Sequence, residues 1–264
     1  MPAVPLDPAS VLLTDRVALV TGAAAGIGRA TALALARFGA DVAICDRDAE
    51  GLATLADEVS VLGRQVHPAV LDVRAADAVN EFLDAVAGAF GRVDVLVNNA
   101  GGGFRARFTE VSAKGQQSLV DENFTSVTHL VRGVVPLMPA DTGGSIVTIT
   151  SIEAHRAGPE YAIYSAMKAA VSNLTKSLAL ELGPQMVRVN CVAPDVIPTP
   201  GIGADLAVRT PLPRAGHVDD IAAAVVFLAN PQLSGFVTGT TLHVDGGNLA
   251  AGGWHRQDDG SYVT

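Results

Sequence analysis

The sequence predicts an α/β fold, a doubly wound parallel sheet of about seven strands with helices on both faces. Three observations carry that expectation. Short apolar runs alternate with stretches of helical periodicity along nearly the whole chain, the pattern of βαβ units. A glycine-rich turn follows the first apolar run and opens a helical pattern. The chain has 264 residues, 49% of them hydrophobic, enough for one large core.

The elements follow in order. Residues 16–21 read as a first strand. Residues 26–38 read as a helix, with Ile27, Ala30, Ala34 and Phe38 on one face and Gly39 as its stop. A second strand over 41–46 leads to a helix over 48–62 that ends near Gly63. A third strand over 65–70 precedes a helix over 75–90, stopped by Gly91. The fourth strand is 93–98, and a long helical stretch covers 115–138, interrupted late by Pro136. Strands over 144–149 and 187–193 flank a helix over 161–181. A helix over 218–229 and a last strand over 241–244 complete the set. Right-handed crossovers then place helices on both faces. The expected organisation is an arm over 1–14, one domain over 15–247 and a tail over 248–264.

Composition narrows the partners. A net charge of −9 argues against nucleic acid or an anionic membrane surface. No apolar run approaches the ~18 residues of a membrane span. The first ten residues hold three prolines and no basic residue, unlike a signal peptide. Cys45 and Cys191 sit inside apolar runs and read as buried thiols. A reducing, cytoplasmic compartment fits best.

The turn Thr21-Gly22-Ala23-Ala24-Ala25-Gly26-Ile27-Gly28 allows close backbone approach to a pyrophosphate. The helix N-terminus behind it supplies free N–H groups and a favourable dipole. In a strand–turn–helix setting this is a Rossmann-type dinucleotide site. Asp46 ends the second strand, where a carboxylate accepts hydrogen bonds from ribose hydroxyls and repels a 2′-phosphate, favouring NAD. Arg47 follows, either as a solvated side chain or as a partner for a phosphate. Asp72-Val73, after the third strand, meets the adenine edge, or Asp72 only caps a helix. Asn98-Asn99-Ala100-Gly101 ends the fourth strand, where ligands of such sheets bind.

Tyr164 and Lys168 stand four residues apart on one helix face. An ammonium there favours the phenolate and lowers the tyrosine pKa from about 10, making it a usable acid or base. Ser151 lies thirteen residues upstream.

Together these motifs resemble the short-chain dehydrogenase/reductase family, its single-domain branch, over residues 15–247. The resemblance implies a catalytic set of Asn123, Ser151, Tyr164 and Lys168. Tyr164 would be the general acid for ketone reduction and the general base for alcohol oxidation. Ser151 would hydrogen-bond the substrate oxygen, and Lys168 would hold the nicotinamide ribose. Asn123 would kink its helix and position a water linking Lys168 to solvent. The closing Asp245-Gly246-Gly247 is also similar to the family's end. The cofactor set implied is Gly22, Gly26, Ile27, Gly28, Asp46, Arg47, Asp72, Val73, Asn99, Ala100, Gly101, Tyr164, Lys168, Pro194, Ile197 and Thr199, with no metal.

Two departures stand out. Asp195 occupies a position where the family usually has glycine, which puts any left-handed backbone there in question. The segment between Thr199 and Pro211 is shorter than the usual lid, suggesting an open pocket for bulky substrates.

Loops after strands four, five and six should line the pocket. Arg105 and Arg107 either grip an anionic group or are solvated, and His155 is either a second relay or a surface residue. Ala166, Ala170, Asn173 and Ser177 form a small-residue face suited to a homo-oligomer, a dimer or tetramer. Trp254, in the tail, covers the site, packs on a neighbour or moves freely.

The expected protein is an NAD-dependent oxidoreductase interconverting a secondary alcohol and a ketone. Hydroxyacyl thioesters, steroids and cyclic alcohols are the candidate substrates. A non-catalytic NAD-binding redox sensor is the alternative. A sugar-nucleotide epimerase or dehydratase is disfavoured, because the ~17 residues after Gly247 cannot form a substrate domain.

Overall fold

The computed structural model describes residues 6–199, 208, 210–257 and 259–263. Its main sheet has seven parallel strands: β1 (Val17–Thr21), β2 (Asp41–Asp46), β3 (Val66–Val70), β4 (Val95–Asn98), β5 (Gly144–Ile149), β6 (Val187–Pro194) and β7 (Thr241–Val244). Their spatial order is β3-β2-β1-β4-β5-β6-β7. The chain thus reverses its direction of winding between β1 and β4. In an open α/β sheet the crevice at that reversal is where ligands bind.

The helices are α1 (Gly26–Arg37), α2 (Ala49–Val61), α3 (Ala76–Phe90), α4 (Ala113–Val120), α5 (Ser126–Val134), α6 (Ala162–Leu182), α7 (Val218–Ala229) and two short ones, α8 (Pro231–Ser234) and α9 (Asn248–Ala251). Side chains alternate across each strand and fill two cores. Ala18, Val20, Val42, Ile44, Val95 and Val97 meet Leu35, Leu55 and Val225 on one face. Leu19, Ala43, Cys45 and Leu96 meet Phe82, Leu130 and Val171 on the other. Burial on both faces explains why the central strands read as continuous apolar runs rather than as alternation. Cys45 and Cys191 are buried free thiols.

Three boundaries differ from expectation. The first and fourth strands begin at Val17 and Val95, not at 16 and 93. Arg16 instead turns its guanidinium to the buried Asp94 at 2.8 Å, and Asp94 also accepts the Val17 N–H. The long helix expected over 115–138 is two helices. α4 starts earlier, at Ala113, because the Ser112 hydroxyl accepts the Gly115 N–H. A wide π turn over Asp121–Thr125 then separates α4 from α5. Pro136 lies in a tight turn beyond α5, where a missing N–H is tolerated.

Beyond α9 the tail forms a two-stranded antiparallel ribbon, β8 (His255–Arg256) with β9 (Tyr262–Val263). Trp254 beside it is 55% exposed. Among the described residues, no helix is long and apolar enough to cross a membrane.

Candidate active site

A cleft of about 900 Å³ runs along the C-terminal ends of β1 to β6. One end is built by the glycine turn between β1 and α1. Gly22 and Gly26 have φ of +64° and +56°, which side-chain-bearing residues rarely adopt. A Cβ on Gly28 would stand 2.0 Å from the Gly22 carbonyl oxygen, so α1 packs onto the turn only without one. Ala25, at the helix N-cap, makes no side-chain cap, which leaves the first N–H groups of α1 for a ligand. A narrow, backbone-lined helix N-terminus of this kind suits a pyrophosphate.

The turn is braced from β4. The Thr21 hydroxyl accepts the N–H groups of Asn99 and Ala100 at 3.1 and 3.0 Å. The Asn99 amide donates to the Thr21 and Gly22 carbonyls, both at 3.0 Å. The sequence reading passed over Thr21; a hydroxyl directly ahead of the glycine turn was its signal.

Asp46 lines the cleft beside the turn, and its carboxylate accepts three backbone N–H groups, from Ala24, Arg47 and Asp48. Arg47 extends into solvent, with its guanidinium 3.8 Å from Glu122. Asp72 is not the cap of the following helix: the N-cap of α3 is Ala75. The Arg74 side chain takes the Asp72 carboxylate instead, at 2.9 and 3.0 Å, and holds it below the usual carboxylate range. Val73 beside it is buried.

At the other end, Ser151, Tyr164 and Lys168 line the same cleft. Ser151 follows β5, and its hydroxyl oxygen accepts the Glu153 N–H at 3.1 Å. Tyr164 projects from the first turn of α6. Lys168, 5% exposed, lies 5.6 Å from the Tyr164 ring centre and donates to the Ile149 carbonyl at 3.0 Å. Asn123, buried in the π turn, donates to the Gly102 and Leu119 carbonyls and accepts the Gly102 N–H. A Cβ on Gly101 would meet both the Asn123 Oδ1 and the Lys168 Nζ, at 2.9 and 3.0 Å. These two polar groups therefore approach the Gly101 backbone from the side on which a Cβ would stand.

The electrostatics correct one expectation. Burial pushes the Tyr164 phenol above its ordinary value, and a hydrogen bond with Ser151 pulls it part of the way back. The expected lowering by Lys168 is absent from that balance. Lys168 is itself so buried that its pKa falls from 10.5 to about 8. Desolvation disfavours whichever form of each group is charged.

Pro194, Ile197 and Thr199 complete the wall after β6. Thr199 packs against the glycine turn, where a Cβ on Gly26 would come within 3.2 Å of its methyl group. Asp195 does not have a positive φ, so its replacement of glycine introduces no left-handed strain. Its carboxylate accepts from Asn248 at 2.6 Å and lies 3.5 Å from Arg156. The short lid expected before Pro211 falls mostly on 200–207 and 209, outside the described residues.

Arg105 pairs with Glu160 on the surface, and neither Arg105 nor Arg107 lines the cleft. Phe104, Phe108 and Tyr161 border a small adjoining recess. His155 packs edge-on against His243 at 4.6 Å, away from the cleft lining.

A doubly wound parallel sheet with a glycine turn at its switch point defines the dinucleotide-binding class of α/β proteins. A family model described as enoyl-(acyl carrier protein) reductase matches residues 22–248. Cyclohexanol dehydrogenase of Rhodococcus sp. (strain TK6) is 38% identical over 261 residues, covering 89% of this chain and 96% of the relative. A 3-oxoacyl-[acyl-carrier-protein] reductase of Thermotoga maritima is 37% identical over 242 residues, covering 89% and 98%. The crystal structure of carveol dehydrogenase from Mycobacterium avium in complex with NAD superposes with a TM-score of 0.85. It is 33% identical, and the match covers 90% of this chain and 99% of that one. The chain belongs to the short-chain dehydrogenase/reductase family of oxidoreductases.

Proposed function

We propose that the protein is an NAD-dependent dehydrogenase that interconverts a secondary alcohol and a ketone, with Tyr164 as general acid and base. The observation that carries the reading is the convergence of Ser151, Tyr164 and Lys168 on the cleft that also holds the glycine turn. A redox sensor needs the turn but has no use for a buried phenol and ammonium beside an open hydroxyl.

NAD fits the residues present. The glycine turn and the N-terminus of α1 would hold the pyrophosphate, and Asp46 the adenosine ribose. Asp72, Val73 and Arg47 border the adenine end. Asn99, Ala100, Gly101, Pro194, Ile197 and Thr199 border the nicotinamide end, with Lys168 on its ribose. When bound, NAD accepts the hydride from the carbinol carbon.

The chain's own residues handle the proton and the charge. In oxidation Tyr164 takes the hydroxyl proton, and in reduction it returns one to the carbonyl oxygen. The Ser151 hydroxyl donates to the oxygen on which charge develops. Lys168 would orient the cofactor through its ribose. Asn123 holds the Gly102 backbone and the π turn beneath Lys168.

The cleft of about 900 Å³ leaves room for a bulky apolar substrate, and we place cyclic alcohols ahead of steroids and hydroxyacyl thioesters. The carveol and cyclohexanol relatives support that order. The exposed face of α6 at Ala166, Asn173 and Ser177 supports a homo-oligomer, a dimer or tetramer.

The test is NADH formation at 340 nm with NAD or NADP across cyclic alcohols, steroids and 3-hydroxyacyl thioesters. Turnover with NAD on one class is expected, together with a Tyr164→Phe variant that binds NADH but loses nearly all turnover. Comparable activity in that variant would overturn the assignment of Tyr164.

A further inference from the structure

Beside the reacting groups lies a set of charges that the mechanism above does not use. Glu153 follows Ser151 by two residues, donates its backbone N–H to the Ser151 hydroxyl oxygen and lines the cleft. Its Oε1 is held by the Arg156 guanidinium at 2.9 Å. Its Oε2 is buried and has no hydrogen-bond partner among the described residues. Arg156 is shared: it also lies 3.5 Å from Asp195, whose other oxygen is taken by Asn248. One guanidinium therefore serves two carboxylates, and the anion at Glu153 is only partly cancelled.

We propose that the Glu153–Arg156 pair is a charge-setting device for this site, placing a partly compensated anion in the same cleft wall as Ser151 and Tyr164. The proposal rests on the acid–base reading of Tyr164, and Glu153 acts as a positioning residue through that group. The groups facing Tyr164 are few. Ser151 and Glu153 line the cleft with it from the turn after β5, and Tyr161 and Lys168 lie against its ring. The backbone at Gly103 lies against its ring from the loop after β4. Asp195 reaches the group only through Arg156, and Glu122 acts on Lys168.

The physical consequence is directional. An anion beside a phenol disfavours phenolate, and Glu153 acts on Tyr164 in that sense. The pair keeps Tyr164 protonated at neutral pH, which serves proton donation to a ketone. A cation removed from beside Glu153 strengthens the effect; the anion removed abolishes it.

The experiment is the pH profile of kcat/KM for alcohol oxidation by the NAD-loaded enzyme. Its limb reports the deprotonation of Tyr164, the base of the oxidation. Glu153→Gln should move that limb to lower pH, and Arg156→Gln to higher pH, each by roughly half a unit to one unit. Arg156→Lys, which keeps the charge, should restore the wild-type limb. NADH affinity, read by fluorescence, should be the same in all three variants. A common direction of shift in the two Gln variants, or limbs coincident with wild type, overturns the proposal while leaving an inactive Tyr164→Phe as support for the acid–base reading. Full activity in Tyr164→Phe overturns both.

Discussion

Lys168→Met gives a quantitative test of how the site is buried. The ammonium is 5% exposed, and its pKa falls from 10.5 to about 8 because burial disfavours the charge. At about 1.36 kcal/mol per unit, the charged form costs the folded ligand-free protein ~3 kcal/mol relative to neutral lysine. The sign follows from proton counting. Below pH 8 lysine is charged in both folded and unfolded states, so the penalty is present in full. Between pH 8 and 10.5 the unfolded chain holds more protons than the folded one, so stability rises with pH. Above 10.5 both states are neutral and the penalty is gone. Methionine has no such dependence. It loses the bond to the Ile149 carbonyl, a pH-independent loss of about 1 kcal/mol. The variant should therefore be more stable than wild type by ~2 kcal/mol at pH 7, and that advantage should disappear and reverse as pH approaches 10.5. Urea unfolding of both ligand-free proteins at several pH values measures the difference. Tyr164 and Cys45, pushed above their ordinary values by burial, titrate in both proteins and largely cancel. A difference that stays constant from neutral to alkaline pH would show that Lys168 carries no desolvation penalty and would refute the reasoning.

Two further outcomes follow from the cofactor end. Gly28→Ala forces a Cβ to within 2.0 Å of the Gly22 carbonyl oxygen, and the turn has to open. Urea midpoints should report a loss of about 1–3 kcal/mol, while NADH titration should show binding weakened far more than stability alone explains. Asp46→Ala removes the acceptor of three backbone N–H groups and the proposed ribose partner. NAD and NADP should then be used nearly alike, with a stability loss of ~1–3 kcal/mol. A wild type that already prefers NADP would mean that Arg47 governs the choice.

The sheet was legible because burial on both faces leaves a local trace: apolar runs such as β1, closed by Gly22, and β2, closed by Asp46. Helices on both faces followed from the βαβ order and the hand of crossovers, and the switch point came only with the strand order. Boundaries were less legible. The break between α4 and α5 falls at Asn123, where the resemblance implied a kink, and its partner Gly102, 21 positions away, is seen only in the fold. The alternative reading of Asp72 as a cap did not hold, because Arg74 takes its carboxylate and the N-cap is Ala75.

The sequence by itself determined the fold class and the glycine turn, and its resemblance to the family named Ser151, Tyr164 and Lys168 as the expected reacting groups. Only the tertiary structure decided the charges around them. Whether Lys168 lowers the Tyr164 pKa depends on how deeply both are buried, and burial is a property of every element packed around α6. The sharing of Arg156 between Glu153 and Asp195 likewise joins a turn after β5 to a loop after β6. Desolvation and long-range ion pairs are set by three-dimensional proximity, and spacing along a chain does not record it.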